Sequence, residues 1–242
     1  MLKTFVEKYD QMILSKEMRE MYNGTNFYNV GYWQENTDSL DRACEQMVIN
    51  HLEKINLPDL PLAILDVGCG LGNTTAQIAE KYPAAYTIGI NISPAQIEYA
   101  KDNYTNIQFE AMDAADLIYP KNCFDLIISV EAVFHFDTRM NFLHHAHRVL
   151  KPGGQLIFSD LLLNDTTWVG DWSIPAANMF PDLGSYKKML KKTGFIIEEV
   201  QNITHDSWLG FCRHLRKIPG METLANGLEK SVIAYLLVSL RK

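Results

Sequence analysis

Three glycines in the segment ILDVGCGLGN are the clearest candidates for ligand chemistry in this sequence. A strand pattern leads into Gly68, Gly70 and Gly72, and a helical pattern follows them. Glycines at such a turn let the backbone approach a ligand closely, and the helix N-terminus offers free N–H groups to its anionic part. The turn therefore predicts a nucleotide-like cofactor. Asn73 stands at the sixth position, where a dinucleotide fingerprint has glycine, which weakens the case for NAD. Asp66, two residues before the first glycine, would sit under the ligand and suits a cofactor that carries an amine and a sulfonium.

A histidine follows the fourth predicted strand, in the sequence EAVFHF. In open α/β sheets, ligands bind beyond the C-terminal ends of the strands, and His135 stands at such an end. An imidazole has an ordinary pKa of about 6.5 and can remove a proton at neutral pH. Such general base catalysis is typically worth about 10² to 10⁴-fold in rate. His135 is therefore a candidate base, and the alternative is a structural histidine that caps the next helix.

Short aliphatic strand patterns alternate with helical patterns between residues 61 and 163. Strands are predicted over 63–68, 86–91, 107–112, 124–130 and 155–163, and helices over 73–82, 93–104 and 137–150. Ser93 and Pro94 mark a helix start, and the Pro-Gly-Gly run at 152–154 is predicted to end the third helix. Further on, helices are predicted over 186–193 and 207–217, and strands over 195–200 and 232–240. This alternation predicts an α/β fold with a doubly wound, mostly parallel sheet.

The two ends of this repeating pattern carry different sequences. Residues 1–60 are mostly helical in pattern and are predicted to form a cover over the main domain at 61–242. An irregular segment at about 164–185 is rich in aromatic residues and turn formers. Irregular stretches of about 20 residues inside a compact domain are usually lids or binding loops, so this insertion is predicted to cover a substrate.

Composition limits the class of protein. The chain has 242 residues, of which 47% are hydrophobic and 21% charged, and these values are typical of a globular protein with a large core. No apolar run approaches the ~18 to 20 residues that cross a bilayer, and the N-terminus is too charged for a signal peptide. We therefore expect a cytoplasmic protein without a membrane span. The net charge of −7 disfavours nucleic acid as a partner.

The motif DVGCGLGN resembles the first motif of the class I S-adenosylmethionine-dependent methyltransferases. Later segments follow the order of that family, namely GINIS, EAMDA, FDLIISVEAVFHF, RVLKPGGQLIFSD and YLLVSLRK. GINIS with its following glutamine resembles the branch that includes sterol, tocopherol and secondary-metabolite methyltransferases. The resemblance covers most of the chain. It implies a seven-stranded Rossmann-like sheet whose last strand is antiparallel, with S-adenosylmethionine as cofactor and S-adenosylhomocysteine as product.

The resemblance also implies which residues hold the nucleoside. Asn91 stands where the family commonly has an acidic residue for the ribose hydroxyls. The amide of Asn91 can still form a hydrogen bond with a hydroxyl, with Ile92 beside it and Gln96 to assist. The alternative is that Asn91 only caps the next helix. Asp113 matches the residue that accepts a hydrogen bond from the adenine amino group, with the neighbouring Ala114 as the source of a backbone N–H. The alternative for Asp113 is a cap on the turn that follows.

Further matches concern the methionine end of the cofactor. Glu131 matches a residue that points towards this end, and its alternative is an exposed carboxylate at a strand end. The YNVGYW stretch resembles a segment that closes over the cofactor in this branch. The resemblance implies that Tyr28, Tyr32 and Trp33 exclude water there, and aromatic core packing is the alternative.

In similar natural-product O-methyltransferases, a histidine at the place of His135 is the proposed base. Asp160, in the FSD segment of the fifth predicted strand, would lie beside it as a supporting carboxylate. The leading hypothesis is in-line transfer of a methyl group to a hydroxyl oxygen of a small, partly apolar metabolite. Three alternatives stay open: a nitrogen or carbon acceptor, a non-catalytic cofactor-binding module, and a nicotinamide oxidoreductase.

Three histidines, His144, His145 and His147, cluster on one predicted helix. Two imidazoles at this spacing can share a metal ion, but neither a carboxylate nor a cysteine is placed to complete a ligand set. We therefore expect no metal site.

Overall fold

The computed structural model describes residues 2–60, 63–170, 172 and 174–242, with side chains from residue 6 onward. In these described residues seven strands form a single sheet: β1 (Ala63–Val67), β2 (Tyr86–Asn91), β3 (Gln108–Ala111), β4 (Phe124–Ser129), β5 (Leu150–Leu163), β6 (Ile196–Asn202) and β7 (Val232–Arg241). Their order across the sheet is β3-β2-β1-β4-β5-β7-β6. Strands β1 to β5 pair in parallel, whereas β7 runs antiparallel between β5 and β6. The expected doubly wound sheet and its antiparallel last strand are confirmed.

Helices cover both faces of this sheet. They are α1 (Leu2–Ile13), α2 (Lys16–Met21), α3 (Leu40–Glu53), α4 (Asn73–Lys81), α5 (Pro94–Asn103), α6 (Arg139–Val149), α7 (Leu183–Lys191), α8 (Trp208–Leu215) and α9 (Glu222–Ser231). The side chains of β1 alternate between the two faces, so Ile64 belongs to the core cluster that includes residues of α3, α8 and α9, and Leu65 to the cluster that includes residues of α6 and α7. Because both faces are buried, the central strands are almost continuously aliphatic.

Local signals explain where several helices begin. Ser93 accepts a hydrogen bond from the backbone N–H of Gln96, and Pro94 occupies the first turn of α5, as predicted. Thr138 caps α6 in the same way. Helix α6 ends at Val149, before the Pro-Gly-Gly run, and β5 begins at once. That run lies instead where the pairing of β5 with β4 shifts register, next to Phe124.

Helix α9 has no counterpart among the predicted elements. Its sequence, ETLANGLEKS, contains Asn226 and Gly227, which are weak helix formers, so its pattern carries little helical signal. Gly227 is required by packing, because a Cβ there would clash with the indole of Trp168. The indole of Trp168 thus joins the segment after β5 to α9.

None of the helices that the structure describes is long and apolar enough to cross a membrane. The predicted domain boundary at residues 60–61 and positions 171 and 173 of the predicted insertion fall partly or wholly outside the described residues.

Candidate active site

A cavity lies at the C-terminal ends of β1, β2 and β4 and encloses about 1120 Å³ of empty space, its open mouth included. Helix α1 and the segment after α2 form its other wall, with Val6, Tyr9, Asp10 and Tyr28 among the lining residues. Ligands bind at this edge of open α/β sheets, where the strand order reverses between β1 and β4. The sheet therefore gathers loop residues that are far apart in sequence.

The glycine turn after β1 forms the floor of the cavity. Gly68 and Gly70 line it with φ values of 80° and 55°, a region that favours glycine. A Cβ on Gly70 would meet no atom within 4 Å, so the cavity comes directly against its backbone. Gly72 has a different task, because a Cβ there would lie 2.9 Å from Phe109 Cζ. It serves the packing of α4 rather than the lining of the cavity.

Asp66 lies behind this turn, where it is buried. It does not line the cavity, contrary to expectation. Thr75 Oγ1 donates a hydrogen bond to Asp66 Oδ2 at 2.6 Å, which ties β1 to α4. Burial raises the pKa of the Asp66 carboxyl to about 7, against the opposing effect of the Thr75 hydroxyl. The expectation that Asp66 sits under a ligand is therefore corrected, since its side chain holds the turn from behind.

The end of β2 supplies a polar corner of the cavity. Asn91, Ile92 and Gln96 all line it, as expected of residues that face a ligand. Asn91 Nδ2 donates to Gln96 Oε1 at 2.9 Å, and Gln96 Nε2 donates to Asp10 Oδ1 at 2.7 Å. Ser93, not Asn91, caps α5. A carboxylate from α1 thus completes a corner that the sequence assigned to amides alone.

The loop after β3 forms another wall. Asp113 and Ala114 line the cavity. Asp113 Oδ1 accepts a hydrogen bond from the backbone N–H of Ala115 at 2.8 Å and so caps the short turn Ala114–Asp116. The cap fixes the carboxylate at the cavity wall, so the two alternatives for Asp113 are compatible.

Glu131 lies just after β4, half-buried, and lines the cavity. Its φ of 55° is unusual for a non-glycine residue, so the surrounding contacts must hold it there. Its Oε2 accepts hydrogen bonds from Tyr235 Oη at 2.6 Å and from the backbone N–H of Val30 at 2.9 Å. Desolvation raises the pKa of Glu131 to about 7 despite these two donors. Because the Glu131 carboxyl is desolvated and accepts these hydrogen bonds, the alternative of an exposed carboxylate at a strand end is excluded.

His135 lines the same cavity at the end of a short turn, Val133–His135. Its ring centroid lies 5.8 Å from that of Tyr9 and 5.7 Å from that of Trp172, which meets it edge-on. Thr138 provides the cap of α6, so His135 does not have the helix-capping role considered as its alternative. The imidazole is bordered by aromatic rings from α1 and from the segment after β5.

Asp160 does not serve His135 in the expected way. Strand β5 continues to Leu163, so Asp160 lies inside the sheet and is 0% exposed. Arg139 Nε donates to its Oδ2 at 2.7 Å, Arg139 Nη2 donates to its Oδ1 at 2.8 Å, and Tyr186 Oη donates to its Oδ2 at 2.8 Å. Asp160 is thus the buried counter-ion of Arg139. This ion pair stabilises the fold and does not assist proton transfer by His135.

The aromatic stretch divides between two surfaces. Tyr28 lines the cavity, and its buried hydroxyl has no hydrogen-bond partner among the described residues. Tyr32 and Trp33 do not line the cavity; they border a separate groove beside α8. Trp33 N donates to Asp206 O at 2.6 Å, and the indole stacks on His214 with centroids 4.8 Å apart. For Tyr32 and Trp33, the expectation of contact with a ligand is therefore wrong.

Residues from α1 are the main part of the cavity wall that sequence reasoning missed. Tyr9 and Asp10 carry no motif, and only their place on a helix with apolar residues at helical spacing could have suggested a buried face. Among the described residues, no group of three or more His, Cys, Asp or Glu side chains could hold a metal ion.

Comparisons with known proteins agree with this geometry. A family model described as a methyltransferase domain matches residues 65–158. An O-methyltransferase of Pyrenophora dematioidea is 32% identical over 212 residues, which are 81% of this chain and 74% of that protein. The erythromycin 3''-O-methyltransferase of Saccharopolyspora erythraea is 27% identical over 216 residues, or 79% of this chain and 69% of that protein.

A solved structure shares the whole fold. The geranyl diphosphate C-methyltransferase from Streptomyces coelicolor A3(2), crystallised with Mg²⁺, geranyl diphosphate and S-adenosyl-L-homocysteine, has a TM-score of 0.77 at 13% identity. The match covers 98% of this chain and 97% of that one. With the glycine turn, the strand order and the identity to the Pyrenophora protein, these findings show that the chain belongs to the class I S-adenosylmethionine-dependent methyltransferases.

Proposed function

We propose that this methyltransferase transfers a methyl group from S-adenosylmethionine to a hydroxyl oxygen of a small, partly apolar natural product, with His135 as general base. The observation that carries the proposal is that His135 lines the same cavity as Gly68, Gly70 and Glu131. A base beside the cofactor cavity is useful for an alcohol or phenol acceptor, whose proton must leave as the oxygen attacks.

The residues present fit the cofactor. Gly70 leaves its backbone open to the cavity, and Tyr28 offers a buried hydroxyl that has no partner among the described residues. Asp113 would hold the adenine amino group, and Glu131 the α-ammonium group. When bound, the cofactor supplies a methyl group that its sulfonium has already activated.

The chain then has to position an acceptor rather than activate a donor. Alignment of reacting groups can contribute up to ~7 to 11 kcal/mol to a barrier. Tyr9 and Trp172 border His135 with aromatic surface, which supports a partly apolar acceptor. The imidazole of His135 would take the hydroxyl proton. Two of the relatives are named for oxygen acceptors, and one of them for an erythromycin, which supports an oxygen acceptor on a natural product.

Two segments would act as covers. We propose that residues 1–60 form a cover over the main domain at 61–242, and that the insertion at about 164–185 covers the acceptor. The presence of Tyr9 and Asp10 in the cavity wall supports the first assignment. The contact of Trp172 with His135 supports the second.

The experiment is an incubation of the protein with methyl-labelled S-adenosylmethionine and the metabolite pool of its source, followed by identification of the labelled product. We expect an O-methylated small molecule. His135→Gln should lower turnover about 10² to 10⁴-fold and leave the affinity for S-adenosylhomocysteine within about twofold. His144→Gln, on the exposed face of α6, is the matched control and should behave as the parent. A labelled nitrogen or carbon product, or full turnover in His135→Gln, would refute the proposal.

A further inference from the structure

The carboxylate of Asp10 reaches from helix α1 into the corner of the cavity at the end of β2. Its Oδ1 accepts a hydrogen bond from Gln96 Nε2 at 2.7 Å, and its Oδ2 accepts one from Ser93 Oγ at 2.8 Å. Asp10 is also a lining residue of the cavity. A negatively charged side chain from the N-terminal segment is thus fixed against the strand end.

A relay of side-chain amides leads from this carboxylate to Asn91. An ionised carboxylate can only accept hydrogen bonds, so Gln96 must turn its Nε2 towards Asp10 and its Oε1 towards Asn91. Asn91 Nδ2 donates to that Oε1 at 2.9 Å, and Asn91 Oδ1 accepts from the backbone N–H of Ser93 at 3.2 Å. Gln96 is 2% exposed, so both ends of its amide are held by these protein partners rather than by water. The negative charge in this corner is therefore carried by Asp10 of α1, because Asn91 at the end of β2 is an uncharged amide.

Nucleotide-binding sheets of this kind place an acidic residue about 20 residues beyond the glycine turn, where it accepts a hydrogen bond from a ribose hydroxyl. Asn91, at the end of β2, occupies that place here. A carboxylate oxygen has lone pairs for two donors, so Asp10 can hold Gln96 and Ser93 and still accept from a diol. We propose that Asp10 supplies, from helix α1, the carboxylate that binds the ribose hydroxyls of the cofactor.

This inference rests on the proposed cofactor site, and the two can fail separately. Calorimetric titration of the parent protein with S-adenosylhomocysteine tests the site itself. Asp10→Asn then removes the charge and keeps the size, because the amide can still accept from Gln96 Nε2. Glu7→Gln removes one charge from the exposed face of the same helix and is the matched control. Asp10→Asn should weaken binding about 10- to 100-fold, the range for a hydrogen bond to a charged group, and Glu7→Gln less than twofold.

Two further measurements separate ribose recognition from the attachment of α1. The first is the same titration with an analogue of S-adenosylhomocysteine that lacks both ribose hydroxyls, for which the penalty of Asp10→Asn should shrink to less than threefold. The second reverses the relay. Asn91→Asp alone leaves a carboxylate at each end of Gln96 and should weaken binding, whereas the double variant Asp10→Asn with Asn91→Asp lets Gln96 turn over. The double variant should bind S-adenosylhomocysteine within about threefold of the parent.

Melting of each ligand-free variant, followed by circular dichroism, confirms that it is folded. Parent-like affinity in Asp10→Asn would overturn the inference and leave the proposed function intact. An equal loss for the analogue without hydroxyls would also overturn it, because Asp10 would then act only by holding α1. If Asp10→Asn does not fold, the double variant decides, since a loss of more than tenfold in that variant overturns the proposal. A parent that fails to bind S-adenosylhomocysteine removes both the inference and the proposed cofactor site.

Discussion

Cofactor binding should become stronger as pH rises, because the Glu131 carboxyl, which we propose to hold the α-ammonium group of the ligand, must lose a proton to do so. The pKa of this buried carboxyl is raised to about 7 in the ligand-free protein. Below that pH the carboxyl is mostly protonated, so binding must release the proton at a cost in free energy. With a pKa of about 7, the ionised fraction rises from about 3% at about pH 5.5 to about 75% at about pH 7.5. Affinity for S-adenosylhomocysteine should therefore rise about 25-fold, or about 2 kcal/mol, over this range.

Calorimetric titration with S-adenosylhomocysteine in buffers of different ionisation enthalpy measures both the affinity and the released proton. Glu131→Gln should bind weakly at every pH and lose the pH dependence. Asp66→Asn is the matched control, because the pKa of Asp66 is also raised to about 7 but its side chain lies behind the glycine turn. That variant should keep the parent's profile. A flat profile in the parent, or a slope that survives in Glu131→Gln, would refute the assignment of Glu131.

Two other substitutions have opposite signatures. Tyr28→Phe removes a buried hydroxyl without a partner among the described residues, so the unfolding free energy of the ligand-free protein should rise by ~1 kcal/mol while affinity for S-adenosylhomocysteine falls about 5- to 10-fold. Trp33 borders the groove beside α8, so Trp33→Phe should leave that affinity unchanged. An equal loss of affinity in both variants would contradict the assignment of Tyr28 and Trp33 to separate surfaces. Asp160→Asn leaves Arg139 buried without its counter-ion and should lower the unfolding free energy by ~3 to 5 kcal/mol in urea denaturation. A loss of turnover in Asp160→Asn without a loss of stability would restore Asp160 to the catalytic group.

Features that depend on short stretches of chain were predictable from the sequence. The alternation of aliphatic and helical patterns predicted the parallel strands, and the spacing of Gly68 and Gly70 predicted a backbone open to a ligand. Ser93 and Pro94 predicted the start of α5 because both act on their own helix turn. The antiparallel β7 was not evident from periodicity and came from the family resemblance alone.

Features that depend on packing between distant segments were not predictable in this way. Tyr28 lines the cavity, whereas Trp33 borders the groove beside α8. A pattern of aromatic residues does not indicate which of these surfaces each ring will contact. The sequence shows only that Asp160 is a polar residue in a predicted strand. Its partner Arg139 lies on a helix whose sequence does not indicate the ion pair. Asp10 reaches the corner of β2 only because α1 packs over the cavity. In each case a tertiary contact decides the role of the residue.

A crystal structure of the protein with S-adenosylhomocysteine tests the central claim most directly. We predict that the ligand occupies the cavity above Gly68 and Gly70, with its purine at Asp113, its ribose hydroxyls at Asp10 and its α-ammonium group at Glu131. A ligand bound elsewhere on the protein, or one whose purine lies away from Asp113, would contradict this assignment of the site.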